Sequence, residues 1–213
     1  MMMNNSHTQS ITLGMGCYWS PDALFGQLPG ITSTRVGFAG GTTDNPNTRQ
    51  TGDHTEMVEI EFDPEIISLE SILNVFWSSH NPVNINNYRD RLYQSLILFR
   101  DPAQQHVIQE VMKSREEQGN GRPDTEVAPY AGFYPAEDRN QKFYLRRFPD
   151  AMDKLKALFA TENELMGSTL AARLNGLAKG HTNLEKIIDE IRTWPISSEE
   201  QEAVIQLIKG IKW

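Results

Sequence analysis

The chain has 213 residues, 38% of them hydrophobic, enough to bury the core of one domain or of one domain with an extension. Its formal net charge of −8 is spread over mixed signs with no basic block, which argues against a nucleic-acid binder and against a polybasic membrane patch. No apolar run approaches the roughly 20 residues that span a bilayer. The opening segment, Met1 to Ser10, has neither a basic n-region nor an apolar h-region, so the expectation is a cytoplasmic protein with a loose N-terminus over residues 1–10.

In chain order, Ile11 to Gly14 predicts a short strand running into a turn at Cys17. Ser20 is placed to cap, and Pro21 to open, a helix over Asp22 to Gln27. Thr32 to Gly37 is β-rich and residues 40–52 are loop-like in composition. Met57 to Phe62 alternates as a half-buried strand does and is ended by Asp63-Pro64. Ser68 predicts the cap of a helix reaching Trp77, with Ile72, Leu73, Val75 and Phe76 as its apolar stripe. Beyond it come a buried strand over Tyr93 to Phe99, a helix over Pro102 to Gln118, a short strand over Thr125 to Ala128 and a charge-rich helix over Pro135 to Phe148. From about Ala151 the pattern becomes helix-loop-helix: Met152 to Met166, Leu170 to Ala178, Asn183 to Trp194, and Ser198 to Ile208 with Ser198, Glu199 and Glu200 marking its start. The class expected is α+β: a two-layer sandwich with a mixed sheet over residues 11–150, followed by a helical extension over 151–213.

Cys17 is the only cysteine, so no internal disulfide can form, and a reducing compartment fits. A lone cysteine is ordinarily a small buried hydrophobe. This one lies between a strand end and a helix start, where free N–H groups and the positive helix end favour a thiolate, although Asp22 opposes that. Tyr18 and Trp19 beside it could be core residues or could line an apolar cup for a methyl group. His7, His54, His80, His106 and His181 have no i,i+4 pairing and no second cysteine, so zinc-finger and HExxH spacings are absent. Trp19 stands where a dinucleotide loop beginning at Gly14 needs its third glycine. The segment 36–41 ("VGFAGG") lacks the Lys-Ser/Thr of a phosphate loop.

Read together, "GMGCYW" (14–19), "GITSTRVGFAGG" (30–41), "GDHTEMVEIEFDP" (52–64), "ISLESILNVFWSSHNP" (67–82), "YQSLIL" (93–98) and "FYPAEDRNQKFYL" (133–145) resemble the type A peptide methionine sulfoxide reductases, in family order over residues 11–148. The GDHTE form and "LAARLNGLAKG" (170–180) resemble animal members, insect ones in particular. The resemblance implies a two-layer α+β fold with a ferredoxin-like core, and reduction of the S epimer of methionine sulfoxide, free or in peptides, without metal or bound cofactor. It implies that the Cys17 thiolate attacks the sulfoxide sulfur and becomes a sulfenic acid. It also implies that Glu56, in the His54-Thr55-Glu56 stretch, is the proton donor, its pKa raised by burial, with His54 as support.

Tyr93 matches one of two family tyrosines that bond the sulfoxide oxygen. Thr48 stands where the other is expected, and Tyr88 is a candidate to substitute for it. In the methyl pocket Trp19 matches, and Tyr18 replaces a phenylalanine. The 83–93 loop is shorter than in the family, and Asp90 is the nearest candidate for its aspartate. Ser20, Phe38 and Asn140 replace a glycine, a tyrosine and a histidine.

With no resolving cysteine, recycling requires an external thiol: thioredoxin, glutathione with glutaredoxin, or another small thiol. Two rival readings keep the fold. One is a low-turnover binding module for methionine or methionine sulfoxide peptides. The other is different sulfur or selenium chemistry at the same thiol. The acidic tail is expected to be a packing extension or, from Trp194 and Trp213 near its ends, a docking surface.

Overall fold

A computed structural model describes residues 8–87 and 90–213. The first half runs β1 (Gln9–Met15), α1 (Trp19–Gly26), β2 (Ile31–Ala39), β3 (Thr55–Phe62), α2 (Leu69–Ser78), β4 (Ser95–Phe99) and α3 (Pro102–Arg115). Two short strands follow, β5 (Glu126–Pro129) and β6 (Phe133–Pro135), then α4 (Pro149–Leu155), α5 (Glu162–Met166), α6 (Thr169–Lys179), α7 (Leu184–Ile191) and α8 (Ser198–Lys209).

The strands form one mixed sheet in the order β5-β4-β1-β3-β2-β6. Its four central strands with α1 and α2 make the βαββαβ split motif, every neighbouring pair antiparallel. β5 adds in parallel to β4 and β6 adds antiparallel to β2. One face of the sheet presents Ile11, Leu13, Val58, Ile60 and Phe62 to Phe25 of α1, to Ile72 and Phe76 of α2 and to Ile108 of α3. Glu56 continues the Val58-Ile60-Phe62 row toward the helical layer, because alternate residues of a strand share a face.

β3 is more buried than its alternation predicts, since both faces are covered. Its other face holds Met57 in an apolar patch with Ala39, Leu96 and Leu98. That face also buries Glu59, which accepts from Arg35 at 2.5 Å and from Arg100 at 2.6 Å. Ser68 caps α2 as expected, accepting from the Ser71 N–H.

Several boundaries differ from expectation. α1 starts at Trp19, and Ser20 does not cap it. Tyr93 ends a 3-10 turn (Arg91–Tyr93) rather than opening β4. Residues 135–148 form no α-helix, only 3-10 turns at Asp138–Asn140 and Leu145–Arg147. The reason is tertiary: Gln141 bonds the Val36 N–H and carbonyl, and Lys142, at φ +52°, turns its ammonium inward to Asp22. The helix predicted over 152–166 is broken because Thr161 starts a new one, accepting from the Glu164 N–H. α8 is capped by Ser197, one residue early, in a reciprocal capping box with Glu200.

The tail helices have their own apolar core, including Leu155, Leu170, Leu174, Ile188, Ile191, Trp194 and Ile208. Trp194 is therefore buried and offers no docking surface, whereas Trp213 is partly exposed with its ring edge on Phe148. The tail is bolted to the sheet layer by Arg173, whose guanidinium donates to the Gly26 and Ile31 carbonyls and pairs with Glu190 at 2.7 Å.

Candidate active site

The site forms where β1 ends. Gly16 takes φ +97°, and a Cβ there would meet the Ile85 side chain, so the turn presenting Cys17 needs glycine on both counts. Tyr18 is the N-cap of α1 and has no side-chain cap bond. The fold caps the helix from a distance instead: the Tyr18 N–H donates to Glu56 Oε2 at 3.1 Å, and the Trp19 N–H points to the Cys17 sulfur. The Cys17 thiol in turn hydrogen-bonds the Glu56 carboxylate. Ser20 turns outward to the Tyr144 hydroxyl at 3.3 Å.

This geometry reverses the expected electrostatics of the thiol. Burial, then the neighbouring Glu56 charge, push the Cys17 pKa up to about 11 against the single favourable Trp19 N–H. Asp22, expected to oppose the thiolate, is fully buried and compensated by the Lys142 ammonium at 3.1 Å, the Thr34 hydroxyl at 2.6 Å and the Asn175 amide at 3.2 Å. Burial raises the Glu56 carboxyl above the ordinary carboxylate range, over the opposing hydrogen bonds from Tyr18 and Cys17. Cys17 and Glu56, bonded to each other and both raised by burial, therefore titrate as a coupled pair.

Around the pair, Tyr18 is buried with its ring 5.9 Å from Phe38, and Val36 and Ala136 close the cup. Burial, with Glu56, Cys17, Glu137 and Tyr93 nearby, keeps the Tyr18 hydroxyl protonated far above its ordinary range. Tyr93 is thus in the electrostatic neighbourhood of Tyr18, and it also lines an open groove of about 520 Å³ with Pro82, Val83, Ile85 and Asp90. Asp90 is exposed on the rim of that groove, its carbonyl accepting the Tyr93 N–H at 3.1 Å. Tyr88 lies outside the described residues.

His54 is buried and spent on the 40–54 loop: its Nδ1 accepts from the Gly41 N–H at 3.2 Å and its Nε2 meets the Thr43 carbonyl at 2.7 Å. Thr48 donates to Glu137 Oε1 at 2.5 Å and Asn140 donates to Glu137 Oε2 at 3.3 Å. These two departures from the family pattern are thus drawn into one polar cluster beside Tyr18. Phe143 was not singled out from the sequence, yet its ring lies 3.8 Å from that of Trp19 at an interplanar angle of 6°. Its signal was its place two residues after Gln141 in the aromatic-rich 133–145 block, obscured by reading that segment as a helix.

The family model described as "Peptide methionine sulfoxide reductase" matches residues 9–166. The chain belongs to this family. The peptide methionine sulfoxide reductase of Drosophila melanogaster is 36% identical over 194 residues, spanning 90% of this chain and 76% of the fly protein. Peptide methionine sulfoxide reductase A5 of Oryza sativa subsp. japonica is 35% identical over 207 residues, 89% of this chain and 78% of its own. Among solved structures, methionine sulfoxide reductase A of Corynebacterium diphtheriae superposes with a TM-score of 0.59 at 30% identity over 70% of this chain and 79% of that one. The activity is methionine sulfoxide reduction, and these relationships lend no support to the binding-module reading. The alignments to the fly and rice reductases extend over nine-tenths or nearly so of this chain, so they take in much of the helical tail. Among the described residues no helix is long and apolar enough to cross a membrane.

Proposed function

We propose that this reductase acts on the S epimer of methionine sulfoxide through the Cys17–Glu56 pair. The observation that carries the reading is the Glu56 carboxyl, bonded at once to the Cys17 thiol and the Tyr18 N–H inside an aromatic cup. With the proton on Cys17 the site rests. With the proton on Glu56, the charge that holds the thiol up is removed, and the thiolate faces the substrate beside a carboxylic acid. Sulfur attacks sulfur, Glu56 gives its proton to the sulfoxide oxygen, and the sulfur–oxygen bond breaks. The released oxygen, as hydroxide, bonds Cys17 Sγ while the new sulfur–sulfur bond breaks, so methionine leaves and Cys17 becomes a sulfenic acid, oxidised by the two electrons that the sulfoxide gains.

Tyr93 and the Tyr18 hydroxyl supply donors as charge develops on the oxygen, and Trp19, braced by Phe143, walls the methyl site. Asp90 borders the groove through which a peptide enters, and His54 shapes the loop behind Glu56. An external thiol returns the enzyme: one thiol condenses with the sulfenic acid, releasing water, and a second thiol sulfur releases Cys17 as a disulfide leaves. Thioredoxin supplies both thiols from one molecule; glutathione, directly or through glutaredoxin, supplies them in sequence. Residues 11–150 are the catalytic domain and 151–213 a helical extension, and the protein works in a reducing compartment, the cytoplasm.

The test is single-turnover reduction of resolved S and R epimers of an acetylated methionine sulfoxide without reductant, read by product and by protein mass. One equivalent of methionine from the S epimer alone, with oxidised Cys17 and an inert Cys17→Ser variant, is the expected result. Product from the R epimer, or from the serine variant, overturns it.

A further inference from the structure

A second pocket lies beside the cysteine turn, lined by Met15 and Ser20 on either side of Cys17 in the chain and by none of the cup residues Tyr18, Val36, Phe38 and Ala136. It has a volume of about 350 Å³, within the range of small-ligand sites. Its floor is apolar, from Met15, Pro21, Leu24 and Ile85. Its polar lining comes from Ser20, Ser79, Asn81, Asn84 and Asn86 with three basic side chains, His80, Lys179 and His181, of which the His80 ring already meets the Phe76 carbonyl at 2.7 Å and the Ser95 hydroxyl at 2.8 Å. No aspartate or glutamate lines it, in a chain whose net charge is −8. A basic rim without a carboxylate leaves room for an anion that the protein does not itself provide.

Lys179 and His181 come from the helical tail and are held by local structure. α6 ends in a left-handed Gly180, and the His181 N–H turns back to the Gly176 carbonyl at 2.9 Å. The Lys179 ammonium sits 4.6 Å from the Tyr144 ring centroid, and the Tyr144 hydroxyl holds Ser20. Burial and the Lys179 charge hold His181 below its ordinary range, leaving Lys179 as the fixed cation. The pocket also reaches the catalytic turn. Ser20 donates its N–H to the Cys17 carbonyl at 3.4 Å, and Ile85, in the floor, packs where a Cβ on Gly16 would be.

We infer that this pocket seats the carboxylate end of a small carboxylate-bearing thiol, a glutathione-class tripeptide, and delivers its sulfur to the Cys17 sulfenic acid. The inference rests on the external-thiol recycling proposed above. Its step is balanced: the ligand thiol loses its proton, its sulfur bonds Cys17 Sγ, and the sulfenic oxygen leaves as water. A second ligand thiol then attacks the mixed disulfide, frees the Cys17 thiol, and departs as the two-electron-oxidised ligand disulfide. The ligand lies outside the Tyr18 cup, so methionine can leave before or after the thiol binds. The tail, on this inference, is the wall that confers preference for an anionic reductant.

The test is steady-state turnover of N-acetylated methionine sulfoxide amide, which has no carboxylate, with glutathione, glutathione diethyl ester or dithiothreitol as the varied reductant. For Lys179→Met and for Lys179→Met with His181→Gln, the KM for glutathione is expected to rise about tenfold, the loss of one charge-assisted contact. The wild type is expected to show the same rise with the ester, and dithiothreitol kinetics are expected to stay within about twofold in every protein. An unchanged KM for glutathione in the variants overturns the inference. So does a rise in the KM for N-acetylated methionine sulfoxide amide itself in the variants, which would make the pocket a substrate site. Wild-type turnover with dithiothreitol but not with glutathione overturns it too, while absence of turnover with every thiol would overturn the recycling scheme itself.

Discussion

Two carboxylates are buried against α1, and they do opposite things. Asp22 is fully buried and collects four hydrogen bonds, from Thr34, Asn175, the Lys142 N–H and the Lys142 ammonium. Glu56 is almost as deeply buried, yet it has one N–H, from Tyr18, and a thiol, with no cation. Burial is common to both; compensation is not. A compensated carboxylate fixes architecture, while an uncompensated one holds a proton more tightly than an exposed carboxyl does and can pass it on.

The largest effect is expected from removing the second kind. Glu56→Gln should lower single-turnover sulfoxide reduction about 10²- to 10⁴-fold, the usual contribution of a positioned acid. The same variant should make Cys17 easier to ionise, because a charge that raises its pKa is gone. Alkylation by iodoacetamide across pH should then show a midpoint below about 11. A thiol that becomes more reactive to alkylation while the enzyme slows separates proton donation from thiolate supply; parallel losses would erase the distinction. In the wild type the rate should rise with pH through the Glu56 ionisation, because the fully protonated pair holds no thiolate. That limb lies above the ordinary carboxylate value of 4.5 and is absent in the variant.

Lys142→Met tests the compensated carboxylate. It strands a buried charge and should cost about 3–5 kcal/mol in urea unfolding. Sulfoxide reduction per folded molecule should change little. If stability holds and activity falls instead, Asp22 belongs with Glu56.

Phe143→Ala removes the ring stacked on Trp19, worth about 0.5–1.5 kcal/mol. It should raise the KM for sulfoxide about fivefold and leave the Cys17 alkylation profile where it was. The smallest effect is expected at Thr48→Val, where the Thr48–Glu137 hydrogen bond is exposed and screened by water; a shift in KM of no more than about twofold is predicted. A larger one would make that cluster part of substrate recognition.

Much of this was legible in the chain. Ser68 announces α2 and Asp63-Pro64 ends β3, because capping and proline geometry are local. Cys17 and Glu56 were picked out by motif, and the fold puts them in contact. What failed was set by distant partners. Ser20 resembled a cap, but α1 is capped by Glu56 from another strand. The 135–148 segment has helical composition, but Gln141 and Lys142 are drawn into the core by Val36 and Asp22. The raised thiol pKa could not be read from a helix start alone, since burial and Glu56 outweigh one N–H.

The α1–α6 crossing has one further consequence. A methyl added at Gly26 would lie 2.9 Å from the Ala172 carbonyl, and one at Gly176 would lie 3.0 Å from the Ala23 carbonyl. Helices in such backbone contact, with Arg173 pinned beneath them, cannot slide apart gradually. The tail and the sheet layer should therefore melt in a single cooperative transition, with amide hydrogens of α6 and of the central strands exchanging only through that shared opening. The thermal lifetime of the cysteine site would then be set in part by a helix that begins more than 150 residues after it in the chain.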